Sequence, residues 1–100
     1  ETVGGEETLG ELTQTFIGDT TRLLSDLGRD LEAGRTSEVR RHAHTLKSTA
    51  ASFGASELSE LCRRLEDLAR EGSLDGGHLL LAEIEAAFVR ARTELIPGSA

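Results

Sequence analysis

Three features of this 100-residue sequence predict an all-α protein, an antiparallel up-and-down four-helix bundle. Aromatics are only 3% of a chain that is 37% hydrophobic, so its core must be assembled from Leu, Ala, Ile and Val. Such a composition favours closely packed helices over a sheet. Apolar residues recur at three- and four-residue steps in four segments, the signature of amphipathic helices. Glycines punctuate those segments, and the single proline, Pro97, lies beyond the last of them. The length suits one domain with one core. Residues 1–100 therefore read as a single domain, with helices near 6–33, 37–53, 56–71 and 76–96 and a tail at 97–100.

The first segment carries Leu9, Leu12, Phe16, Leu23, Leu27 and Leu31, with Thr20 completing the seam and Gly34 as its stop. Gly10, Gly18 and Gly28 each weaken it by about 1 kcal/mol relative to Ala, so tertiary packing must hold it straight. Thr36 or Ser37 is placed to cap the second segment, and Glu38 suits the helix dipole there. Its seam is Val39, Ala43, Leu46, Ala50 and Phe53, and Gly54 closes it. Ser56 is placed to cap the third, whose seam of Leu58, Leu61, Leu65 and Leu68 stops at Gly72. The fourth starts between Asp75 and Gly77 and runs through Leu80, Ile84, Phe88, Ala91 and Leu95. Short connections make sequential helices antiparallel.

A net charge of −7 sets most of the surface against nucleic acid. No apolar run approaches the roughly 20 residues that span a bilayer, and no signal-peptide pattern is present, so no membrane contact is expected. The lone cysteine, Cys62, excludes an internal disulfide and fits a reducing, cytoplasmic setting. Its place in the apolar stripe of the third helix makes it a buried structural thiol.

The most informative stretch is HTLKSTAASFGA, residues 44–55. On a helix, His44, Lys47, Ser48 and Ala51 fall on one face. His44 projects roughly 140° from the centre of the second seam, out toward water. An imidazole with an ordinary pKa of about 6.5 is largely unprotonated near neutral pH and offers a nucleophilic ring nitrogen. Lys47 adds a positive charge within reach of an anion on that ring, and Arg40 and Arg41 strengthen the field one turn earlier. Ser48, Ala51 and Ser52 are small enough to let a partner macromolecule approach. His42, about 60° from the seam, reads as a boundary residue. His78 reads as a solvated first-turn residue. A metal-binding bundle fits poorly, because His42 and His44 point roughly 160° apart and no His-x-x-x-His occurs.

His44, Leu46, Lys47, Ser48, Ala50, Phe53, Gly54 and Ala55 together resemble the phosphohistidine motif of histidine-containing phosphotransfer (HPt) domains. Leu58, Leu61, Cys62, Leu65 and Glu66 are similar to that family's following helix, and the likeness covers roughly residues 6–96. Ser48 stands where many members have Gly. The resemblance implies that His44 accepts a phosphoryl group from a receiver-domain aspartyl phosphate and passes it to another response regulator. Lys47 would orient and neutralise the phosphoryl group, and Ser48 would donate a hydrogen bond. Ala51 would give clearance, and Ile17, at the edge of the first helix, would anchor the receiver. The domain would bind no cofactor, with Mg2+ expected on the receiver, and it has no nucleotide-binding pattern, so it is a carrier without kinase activity of its own. It would act as a monomer, no exposed heptad seam being obvious. Such pieces are often the last module of a hybrid sensor kinase, and the start at Glu1 hints at one. ETVGG at the start would be the stub of a short preceding helix. The rival function is an HPt-like bundle that docks receivers without carrying phosphate.

Overall fold

A computed structural model describes residues 8–95, and every element in it is a helix. They are α1 (Leu9–Ala33), α2 (Thr36–Ser52), α3 (Ser56–Arg70) and α4 (Gly77–Leu95). The expected stub at 1–5, the first residues of a helix starting at 6, the side chain of Leu9, position 96 and the tail at 97–100 lie outside the described residues. None of the described helices is long and apolar enough to cross a membrane.

Each helix packs on its neighbours in sequence, and α1 closes the ring on α4, leaving α1 and α3, and α2 and α4, as diagonals. Two tight reversals set this topology. At the end of α1, Gly34 takes φ 69°, and the N–H of Arg35 donates to the Asp30 carbonyl at 2.9 Å. At the end of α2, Gly54 takes φ 73°, and the N–H of Ala55 donates to the Ala50 carbonyl at 2.9 Å. Both are Schellman closures, in which a left-handed residue frees the chain to turn back at once.

The core is aliphatic, as the composition requires, with Leu27, Leu46, Leu58, Leu65 and Ile84 fully buried. Three phenylalanines bind its upper end. Phe16 stacks on Phe53 with ring centroids 4.5 Å apart and meets Phe88 edge-on at 6.2 Å.

The structure corrects the seam of α1. Leu12 is exposed and Leu23 only half-buried, while Leu24 joins the core with Thr13 and Thr20. The buried row thus runs 13, 16, 20, 24, 27, 31, with Thr20 where it was expected and Thr13 at a core position that its polarity disguises. The Thr20 hydroxyl is fully buried without a hydrogen-bond partner. The expected caps are corrected as well. Arg35 and Ala55 occupy the N-cap positions of α2 and α3 with no side-chain cap, because each tight reversal delivers the chain straight into the next helix. Thr36, Ser37 and Ser56 already lie inside helices. α1 does carry a side-chain cap, a reciprocal capping box between Thr8 and Glu11.

Candidate functional site: a histidine on a buried carboxylate

α2 presents its seam of Val39, Ala43, Leu46 and Ala50 to the core and holds His44 outward. The His44 side chain is 59% exposed, yet its inner nitrogen is engaged. Nδ1 lies 2.8 Å from Oε2 of Glu66, a carboxylate on α3 that is only 4% exposed. A carboxylate can only accept, so Nδ1 carries the proton and donates. The neutral ring therefore keeps its lone pair on Nε2, the atom facing away from the carboxylate.

Glu66 is the hub of the site. The Nζ of Lys47, one turn after His44, lies 2.8 Å from Oε1. That approach forms an ion pair but falls outside hydrogen-bond alignment, so Oε1 is held by charge. Arg70, one turn further along α3, donates to Oε2 at 3.1 Å. Burial pushes the Glu66 carboxyl up, but the contacts and charges of Lys47 and His44 outweigh it and hold the group below its ordinary value. The carboxylate is thus ionised at neutral pH. Packing makes this possible, since small buried residues line both helices, Ala43 and Ala50 on α2 and Cys62 and Ala69 on α3. A second tie pins the pair, with Ser59 Oγ donating to the Lys47 carbonyl at 2.9 Å.

Around the ring opens a cleft of about 460 Å³ lined by Ser37, Arg40, Arg41, His44, Thr45, Glu66 and Arg70. Three arginines bring positive charge to it, although Arg41 pairs with Glu38 and Arg70 with Glu66 and Asp67. The structure brings His44, Lys47, Arg40 and Arg41 together on one side of α2. Ser48 and Ala51 are exposed on the same helix. Ala51 and Lys47 border a smaller recess of about 240 Å³ shared with Ser59 and Arg63. Ile17 does not line the cleft, being half-buried on α1 and packed against the core.

His42 has a carboxylate of its own. Its Nδ1 lies 2.8 Å from Oδ2 of Asp30, on α1, but its side chain is 15% exposed against the 59% of His44. Arg35 completes this cluster, its Nε donating to the other Asp30 oxygen at 3.1 Å. His78 is exposed at the start of α4. Among the described residues no group of three or more His, Cys, Asp or Glu is placed to hold a metal.

Sequence reasoning gave Glu66 no role. The signal was present, because Glu66 follows Cys62 by one turn in the apolar stripe of α3, where an ionised residue is buried only when paired. Two of its partners, His44 and Lys47, sit on a different helix and share no spacing with it.

Comparison with known proteins agrees with this geometry. The Hpt domain family matches residues 11–94. The phosphorelay protein LuxU of Vibrio cholerae is 35% identical over 81 residues, covering 76% of this chain and 72% of the relative. Histidine-containing phosphotransfer protein 2 of Arabidopsis thaliana is 24% identical over 95 residues, 92% of this chain and 61% of the relative. The crystal structure of histidine-containing phosphotransfer protein B (HptB) from Pseudomonas aeruginosa superposes with a TM-score of 0.82. It is 32% identical, and the match covers 84% of this chain and 73% of that one. Family match, relatives and fold converge, and this chain belongs to the Hpt domain family.

Proposed function

We propose that this chain is a phosphocarrier of two-component signalling, in which His44 takes a phosphoryl group from a receiver-domain aspartyl phosphate and hands it to another receiver. The observation that carries this reading is the His44–Glu66 pair, which leaves an exposed Nε2 lone pair beside a cationic cleft. Nε2 attacks phosphorus in line with the acyl-phosphate oxygen. The N–P bond forms as the P–O bond breaks, and the aspartate leaves as a carboxylate with the bonding electron pair. The imidazole becomes cationic in this step, and the Glu66 carboxylate on Nδ1–H stabilises that charge. The onward transfer is the same displacement in reverse, with a second aspartate as nucleophile.

Such a transfer is mostly positioning and charge neutralisation, which a helical bundle can supply without further machinery. Lys47 and the cleft arginines offset phosphoryl charge, Ser48 donates to it or to the receiver, and Ala51 leaves room. Ile17 adds an apolar foothold at the rim of α1. Mg2+ belongs to the receiver's acidic pocket, and the setting is cytoplasmic.

The test is transfer from a phosphorylated receiver with Mg2+ to the wild-type chain, His44→Gln and His42→Gln, read by intact mass and by acid lability of the product. Acid-labile label on wild type and His42→Gln but not on His44→Gln is expected. No label on the wild type, with receivers that load another HPt domain, would overturn the carrier function in favour of docking alone.

A further inference from the structure

α4 is apolar on two opposite faces, and only one of them meets the bundle. Leu81, Ile84 and Phe88 are buried. Leu79, Ala82, Ala86, Val89 and Thr93 are all exposed, Leu79 by 75% and Val89 by 50%. These five positions are spaced 3, 4, 3, 4, a heptad seam that extends about 21 Å along the helix. No exposed heptad seam was obvious in the sequence, and it is the burial that shows this one left open.

The charges bordering the open seam are arranged for self-recognition. In heptad terms Leu79, Ala86 and Thr93 are a, and Ala82 and Val89 are d. Glu83 and Arg90 then fall at e on one flank, and Glu85 and Arg92 at g on the other, all exposed. On both flanks the acid lies toward the start of the helix and the base toward its end. Antiparallel helices pair e with e and g with g. Two antiparallel copies centred between residues 87 and 88 would bring Glu83 against Arg90 and Glu85 against Arg92, each twice. The same register stacks Ala86 on Val89 and Ala82 on Thr93. A parallel pair would match only Glu85 with Arg90. Arg90 is held at the seam's edge by Glu57 of α3, its NH2 group 2.7 Å from the carboxylate.

We infer that the outer face of α4 is an interaction surface for a second copy of this chain, docked antiparallel about a two-fold axis near residues 87–88. Such a contact is isologous and closes on itself, so it stops at a dimer. The two copies meet at the helix diagonal to α2, leaving both His44 clefts open. The inference is independent of the phosphocarrier function.

Sedimentation equilibrium over a wide concentration series tests it. The wild type is expected to pass from 10.7 kDa toward twice that mass as concentration rises. Val89→Glu sets an unpaired carboxylate in the centre of the seam and should weaken association at least about tenfold. Glu85→Arg should also weaken it, and the double change Glu85→Arg with Arg92→Glu should restore it, because only the antiparallel pairing regains its ion pairs. All substituted positions are exposed, and circular dichroism checks that each variant keeps its helices. A wild type that stays monomeric throughout, or a dimer indifferent to Val89→Glu and the charge exchange, would overturn the inference.

Discussion

Glu66 carries more of the site than any residue singled out in the sequence, since it orients His44 and occupies Lys47 and Arg70 at once. Glu66→Gln keeps the shape of the side chain but removes the charge that fixes the tautomer and that, in the proposed transfer, would stabilise the cationic ring. Phosphoryl transfer to His44 is expected to slow by about ten- to a hundredfold while the fold persists, measured as the initial rate of label transfer from one receiver. Cys62 gives a second test at this scale. Burial pushes its thiol up to about 12, so it should be inert to a disulfide reagent at pH 8 in the native state and react fully in denaturant. Burial of Cys62 was legible from its place in an apolar stripe, and the outward aim of His44 from its angle to the seam. The role of Glu66 was not, because it arises from two helices meeting.

At the scale of elements, glycines separate what a sequence can specify from what packing adds. Gly18 is inside α1 with open space where a Cβ would go. Gly18→Ala is expected to stabilise the bundle by about 0.5–1 kcal/mol. Gly77, buried at the first position of α4, is the opposite case, for a Cβ there would lie 2.7 Å from Cδ2 of Leu31. Gly77→Ala is expected to destabilise by about 1 kcal/mol or more as Leu31 is displaced. Urea unfolding of both variants checks the opposite signs. Periodicity marked the four helices, and the stops at Gly34 and Gly54 were readable from composition. The seam of α1 was misplaced because Thr13 occupies a core position that hydrophobicity does not mark and Leu24 rather than Leu23 faces inward, whereas Thr20 stands where the seam put it. The side-chain caps expected on α2 and α3 gave way to tight reversals, whose backbone geometry no single residue announces.

Over the whole molecule, acid should undo the structure through its paired carboxylates. The Glu66 carboxyl is held below its ordinary value in the folded chain; burial raises it, but Lys47 and His44 lower it further. Glu57 and Glu60 are also lowered, mainly by hydrogen bonds from Arg90 and Arg63, but both are exposed and screened. A carboxyl depressed on folding contributes its full stability above its unfolded value and loses it as pH falls through the folded value. Stability from denaturant titrations should therefore be level from neutral pH to about 5 and decline as pH falls through the ordinary glutamate value of about 4.3 and below, with a shallower decline in Glu66→Gln.

The two histidines of α2 have one more consequence. They stand two residues apart, so their rings leave the helix in nearly opposite directions. Each is tied through Nδ1 to a buried carboxylate, His42 to α1 and His44 to α3. α2 is thereby keyed on both flanks. Rolling it about its own axis in either sense would strip a buried acid of its partner, and the outward nitrogen of His44 keeps its bearing through the resistance of a helix to turning.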